Sequence, residues 1–151
     1  MINDVYNRKL LSLAGNIAPN GRLPAPDASA TAHSKLCGSH ISIDIRVDRE
    51  TSTITGYAHE VKACALGQAA AAVVAQQIVG AHFDDARKAR EQLSAMLKSD
   101  GDVPQGRFED LKYLQPVKDY PARHASTLLA LDALNKALDA IQNVAPDTER
   151  A

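Results

Sequence analysis

The chain has 151 residues, 45% of them hydrophobic and 23% charged, which is the composition of a globular domain large enough to bury a core. The 17 Lys and Arg residues nearly balance the 18 Asp and Glu residues, and aromatic residues make up only 4%; this argues against a nucleic-acid partner, because the chain offers neither excess positive charge nor a base-stacking surface. The sequence has no apolar run of the roughly 20 residues that a membrane span requires and no recognisable secretory signal, so we expect a cytoplasmic protein without a membrane partner.

The first predicted element is an amphipathic helix over residues 5–13, where apolar side chains recur at helical spacing. Gly15 and Asn16 are expected to end this helix. Residues 19–34 are rich in Pro, Gly, Ala and polar side chains, and this composition predicts a long irregular connection.

Two strands are predicted next. Isoleucine and valine alternate with polar residues over positions 41–47, which is the pattern of a half-buried strand. Residues 48–51 are expected to form a polar turn. Residues 53–61 alternate more weakly, and their position predicts the second strand of a hairpin.

Helices account for most of the remaining chain. Residues 64–79 are rich in Ala and apolar on most sides, which predicts a buried helix. Apolar side chains at helical spacing predict two further helices, over residues 83–97 and 126–141. A short segment over residues 108–114 is expected to end at Pro116.

The grouping of strands before helices favours an α+β fold over a parallel α/β sheet. We expect one domain over residues 1–145, in which a small antiparallel sheet of about three strands packs against several helices. Residues 41–47 and 53–61 are two of these strands, and no segment is assigned to the third. Residues 146–151 are expected to form a disordered tail.

The two cysteines are the main candidates for a functional site, since the sequence has no phosphate-binding Gly loop and no CxxC, HExxH or GxSxG motif. Cys37 lies just before the first predicted strand and Cys64 at the start of the buried helix, so the hairpin between them brings the two thiols together. The positive end of the helix dipole favours the thiolate form of Cys64, and Gly38 lets the backbone turn tightly around a ligand. The alternative is that both cysteines are small buried hydrophobic residues.

Ser126 and His124 lie at the start of the last predicted helix and are weaker candidates. Ser126 is also a favoured N-cap residue, and His124 is either a third metal ligand or a surface histidine. The other histidines show no ligand-like spacing, and only one of them is close to a thiol in sequence: His40, three residues after Cys37.

Four segments of the chain, in their order and spacing, resemble the NifU/IscU/SufU-type scaffold proteins for iron–sulfur cluster assembly. These segments are the opening helix, Cys37-Gly38-Ser39 before a long alternating strand, Cys64-Ala65 before a helix of small residues, and Tyr120-Pro121-Ala122-Arg123 before the closing helix. The resemblance implies that Cys37 and Cys64 hold iron or a nascent iron–sulfur cluster, or a zinc ion in its place, at one exposed end of the domain. It also implies a cysteine desulfurase and cluster acceptor proteins as partners.

The chain departs from the family at two ligand positions. The family's Cys-Gly-Asp has Ser39 in place of Asp, and the ungapped position of the third cysteine is Ser126. A serine hydroxyl stays protonated near neutral pH and is a hard, weak metal ligand. Two thiolates do not complete a four-ligand shell, so the site needs His124, His40, water, a small thiol or a second protomer across a homodimer interface.

Three functions remain open on the sequence. The first is a non-enzymatic scaffold or carrier that binds iron or a cluster transiently. The second is a homologue without cargo that acts as an interaction or regulatory partner of the cysteine desulfurase machinery, as the serines at positions 39 and 126 suggest. The third is an enzyme with Cys64 as the nucleophile and a nearby histidine as the base. A sulfur-transfer role is a variant of the first.

Overall fold

The centre of the fold is a three-stranded antiparallel sheet with the strand order β1-β2-β3. The structure is a computed structural model that describes residues 7–35 and 38–150, with side chains as far as residue 142. The strands are β1 (Ala28–His33), β2 (His40–Asp48) and β3 (Thr53–Lys62). The expected α+β fold with about three strands is confirmed, and so are the two strands and the turn that the sequence predicts.

β1 lies within the segment for which the sequence predicts an irregular connection, so that prediction is wrong for residues 28–33. The strand does alternate, but its apolar members are Ala28, Ala30 and Ala32, and alanine has a low β-propensity. In the register of the sheet these alanines lie opposite the buried isoleucines of β2. Partners on the neighbouring strand, which no short window of sequence contains, therefore make this segment a strand.

The described residues form four α-helices, namely α1 (Arg8–Gly15), α2 (Ala65–Gln77), α3 (Phe83–Lys98) and α4 (His124–Arg150). α4 packs on β1, β2, α2 and α3, and α1 packs on α2. α2 is buried as predicted, with Leu66, Ala70 and Val74 fully inaccessible. The predicted opening helix is confirmed from Arg8 onward; Asn7 is its N-cap, and residues 5 and 6 lie outside the described residues.

Two 3₁₀ segments, Gly106–Asp119 and Pro121–Arg123, connect α3 to α4. The sequence predicts that the first of them ends at Pro116, and this is wrong, because the turns continue for three more residues. Tight 3₁₀ turns do not need an unbroken ladder of i→i−4 hydrogen bonds, so the missing N–H of proline is tolerated. This segment packs on α2 and α3 and closes the core on that side.

α4 is longer than the sequence predicts. Its backbone is helical from His124 to Arg150 and passes residue 146, where the disordered tail is predicted to begin. The boundary of the domain at residue 145 stays a prediction, because the side chains from 143 onward are outside the described part of the chain. Within that described part, no helix combines the length and the apolar character that crossing a membrane requires.

Asp44 fastens the segment before β1 to the outer face of the sheet. Its carboxylate is 1% exposed and accepts hydrogen bonds from Arg22 Nε at 2.7 Å and Arg22 Nη2 at 2.8 Å. The backbone N–H of Leu23 donates to the same carboxylate at 3.0 Å, and the Ser29 hydroxyl donates at 2.5 Å. The hydrogen bonds from Arg22 are the main reason why the pKa of Asp44 lies well below its usual range.

We predict that Asp44→Asn lowers the free energy of unfolding at pH 7 by about 2 kcal/mol, because it removes charge-assisted hydrogen bonds to a buried carboxylate. Urea denaturation measures the difference, and Asp102→Asn, at an exposed aspartate, is the matched control. Since the pKa of Asp44 is depressed in the folded state, its contribution is complete above the unfolded pKa and is lost as the pH falls below about 4. Equal stability of the variant and the wild type at pH 7 would contradict this assignment.

Candidate functional site

Cys64 is the N-cap residue of α2, where its φ of −68° and ψ of 172° place it just outside the helix. Its carbonyl oxygen accepts a hydrogen bond from the backbone N–H of Gln68 at 2.9 Å, while its side chain does not cap the helix. The free, half-buried thiol instead lies 3.6 Å from the hydroxyl oxygen of Ser126 on α4 and donates to it. The sequence-based placement of Cys64 at the start of the buried helix is therefore confirmed.

Ser126 is buried inside the first turn of α4, with 1% of its surface exposed. Its hydroxyl donates to the carbonyl oxygen of Arg123 at 3.2 Å and accepts from the Cys64 thiol. The N-cap interpretation is wrong, because α4 begins two residues earlier, at His124. The fold thus places the hydroxyl of Ser126 beside the thiol of Cys64.

Gly67 allows α2 and α4 to approach closely enough to bring Cys64 and Ser126 together. A Cβ atom at this position would lie 2.9 Å from the Cβ of Ala63 and 3.1 Å from the carbonyl oxygen of Ser126. Real Cβ atoms do not approach as closely as the first of these distances, and the second would require the Ser126 carbonyl to shift by a few tenths of an ångström. The interruption that Gly67 makes in an Ala-rich helix is therefore explained by packing at the candidate site.

His124 is not a surface histidine, since only 8% of its surface is exposed. Its Nε2 lies 3.0 Å from the carbonyl oxygen of Val117 and 3.2 Å from that of Lys118. Carbonyl oxygens only accept hydrogen bonds, so Nε2 carries the ring proton and is occupied by the end of the 3₁₀ segment. A metal ion could be bound by this histidine only through Nδ1.

The loop between β1 and β2 is closed by two backbone hydrogen bonds. The N–H of Ser34 donates to the carbonyl oxygen of Ser39 at 2.8 Å, and the N–H of Gly38 donates to that of Ser34 at 3.0 Å. Gly38 has a φ of +68°, a left-handed conformation that confirms the predicted tight turn. Ser39 is 4% exposed, which places it under the loop and away from solvent.

Cys37 lies outside the described residues, so the structure does not test its predicted role. The described residues on either side of it belong to the loop at the end of the sheet where β2 begins. There His40 pairs with Lys62, which precedes Cys64 by two residues. The loop that carries Cys37 therefore starts and ends at the end of the sheet where β3 leads into Cys64.

The described residues contain no group of three or more His, Cys, Asp and Glu side chains that could hold a metal ion. They do contain a pair of histidines that their spacing in the sequence does not indicate. His33 and His40 are directly opposite each other on β1 and β2, with ring centroids 6.0 Å apart. The pairing follows from the register of β1 with β2, which cannot be predicted while residues 28–33 are expected to be irregular.

Comparison with known proteins finds a family model and a curated relative that each match most of the chain. A family model described as the NifU-like N terminal domain matches residues 5–143. A curated relative, the iron-sulfur cluster assembly scaffold protein IscU of Thermotoga maritima, is 23% identical over 137 residues, which cover 91% of this chain and 94% of the relative.

Solved structures are similar over the same extent. The crystal structure of a nitrogen-fixing NifU-like protein (N-terminal) from Brucella abortus has a TM-score of 0.91 and 48% identity, covering 94% of this chain and 97% of that one. The crystal structure of a putative iron-sulfur cluster assembly scaffold protein for the SUF system from Fervidobacterium islandicum has a TM-score of 0.81 and 20% identity, covering 90% and 98% of the two chains. At that identity, the second similarity concerns the fold alone.

Proposed function

The chain belongs to the NifU-like N-terminal domain family, and on that premise we propose that it is an iron–sulfur cluster assembly scaffold or carrier in which Cys37 and Cys64 bind the cargo. The observation that carries the proposal is the position of Cys64. Its half-buried thiol lies at the N-terminus of α2, next to the end of the sheet where the loop with Cys37 begins and ends. Two thiolates from these positions can bind one iron or zinc ion if the loop brings Cys37 to the N-terminus of α2.

The proposed cargo chemistry is ligand exchange without an enzymatic step. A cysteine desulfurase supplies the sulfur as a persulfide, and ferrous iron together with an external electron donor provides the two electrons that reduce each sulfur to sulfide. The iron and sulfide assemble on the thiolates, and the cluster leaves when the thiolates of an acceptor protein replace those of the carrier. The hydroxyl of Ser126, 3.6 Å from the Cys64 sulfur, is the proposed third ligand, but it is a poor one, since it remains protonated. A carrier with few strong ligands releases its cargo readily. While the cargo is bound, its remaining coordination positions are filled by water, a small thiol, His40, Nδ1 of His124 or a second protomer. We place this function in the cytoplasm.

The second candidate function is a homologue without cargo that binds the desulfurase machinery. Two observations favour it: Ser126 is buried with its hydrogen already donated to Arg123, and Ser39 is also buried. Neither side chain is presented to solvent as the family's ligands would be. In this case the protein surface, and not the thiols, would carry the function.

A paired experiment separates the two functions. The protein is incubated without oxygen with ferrous iron and sulfide, and the visible absorption of a bound cluster is recorded; in parallel, binding to a cysteine desulfurase is measured for the wild type and for Cys37→Ser/Cys64→Ser. We expect a cluster chromophore that an apo-acceptor protein removes. A wild type without chromophore, whose desulfurase binding is indifferent to both cysteines, would exclude the carrier and establish the second function.

A further inference from the structure

The outer face of the sheet carries two histidines side by side at the edge of the candidate site. His33 is the last residue of β1 and His40 the first residue of β2, and they are direct partners in the antiparallel register. Their ring centroids are 6.0 Å apart with an angle of 45° between the ring planes. Side chains of directly opposed residues project from the same face of a sheet, so both imidazoles point to that face.

Both rings are accessible to an ion from solvent. His33 is exposed and His40 half-buried, and neither ring has a hydrogen-bonding partner among the described residues. The other histidines of the chain differ in this respect. His59 and His124 are buried and bonded to backbone carbonyls, and His82 caps α3.

The separation of the rings suits coordination of a single ion. With a metal–nitrogen distance of about 2.0–2.1 Å, two imidazoles on one tetrahedral ion place their ring centroids about 5 Å apart. The observed separation of 6.0 Å is about 1 Å longer, so a shared ion requires the exposed His33 side chain to move toward His40. Imidazole binds Fe²⁺, Ni²⁺, Cu²⁺ and Zn²⁺ in preference to Mg²⁺ or Ca²⁺.

We propose that His33 and His40 form a two-histidine site for a divalent transition-metal ion. The role of this site depends on the proposed function: it would hold ferrous iron at the end of the sheet before the iron moves to the cysteines. His40 lies opposite Lys62, two residues before Cys64, so the two sites are adjacent along the same strand end. In the described residues no third His, Cys, Asp or Glu joins the pair, which leaves coordination positions open to water and allows the ion to leave.

The site can be tested with Ni²⁺ by isothermal titration calorimetry in the Cys37→Ser/Cys64→Ser background, where thiols cannot contribute. We expect one Ni²⁺ per chain in that background and at least a tenfold weaker binding after His33→Gln or His40→Gln. The matched control is His82→Asn, which removes a histidine at an exposed position but keeps an oxygen acceptor for the cap of α3. Circular dichroism melting of each variant shows whether the fold is intact.

The outcomes separate this site from the proposed function. Ni²⁺ binding that is unchanged in His33→Gln/His40→Gln, or that disappears with the cysteines alone, would overturn the two-histidine site. If Ni²⁺ binds to the histidines but the wild type takes up no cluster, the site stands and the carrier function fails. If both stand, His33→Gln/His40→Gln should slow anaerobic cluster formation at limiting iron by several-fold; an unchanged rate would remove the supply role.

Discussion

Cys64→Ser is expected to abolish the uptake of an iron–sulfur cluster. Serine replaces a soft thiolate by a hydroxyl that stays protonated, so one of the two proposed strong ligands is lost. Serine is also a preferred N-cap residue, and the substitution keeps the shape of the side chain. The thermal stability of the apoprotein should therefore be unchanged or slightly higher, which separates lost ligation from lost folding.

The matched control for this variant is Ala63→Ser, which introduces the same hydroxyl one residue earlier and leaves the thiol in place. After anaerobic reconstitution with ferrous iron and sulfide, we expect this control to retain the visible absorption that Cys64→Ser loses. A cluster of normal intensity and stability in Cys64→Ser would show that this thiol is not a ligand.

Ser126→Cys is expected to tighten metal binding at least tenfold. Two thiolates on one tetrahedral ion lie about 3.8 Å apart when each metal–sulfur distance is about 2.3 Å. The Cys64 sulfur is 3.6 Å from the hydroxyl oxygen of Ser126, so a sulfur at position 126 would already be close to this geometry. The variant gives up the hydrogen bond to the Arg123 carbonyl, and we expect the apoprotein to lose about 1 kcal/mol of stability.

Thr127→Cys is the control for Ser126→Cys. Residue 127 is buried in the same turn and also donates to the carbonyl oxygen of Arg123, but it lies about 100° further around the helix axis. Zinc affinity measured in competition with a chromophoric chelator should rise for the cysteine at position 126 and not at 127. Equal affinities in the wild type and Ser126→Cys would mean that position 126 does not face the bound ion.

Local sequence pattern predicted most of the fold. Alternation of Ile41, Ile43 and Ile45 identified β2, and the Ala-rich composition identified α2 as buried, since in both cases the residues themselves carry the signal. β1 was missed because its inward-facing side chains are alanines, whose burial depends on the isoleucines of the neighbouring strand. The continuation of the 3₁₀ segment past Pro116 was missed for a related reason, since packing on α2 and α3 maintains it.

The site was predicted less completely than the fold. The position of Cys64 followed from its place at a helix start, and its proximity to Ser126 was implied by the family resemblance. The burial of His124 and the bond from Ser126 back to Arg123 depend on how the 3₁₀ segment meets α4, which no residue pattern shows. The pairing of His33 with His40 required the register of a strand that the sequence did not reveal.

The most direct test of the carrier function is the metal and sulfide content of the protein purified without oxygen, compared with Cys37→Ser/Cys64→Ser prepared in the same way. The carrier function predicts iron with sulfide, or zinc in its place, in the wild type and a loss of at least tenfold in the double variant. Equal metal contents in the two proteins, or none in the wild type even after iron and sulfide are supplied, would contradict it.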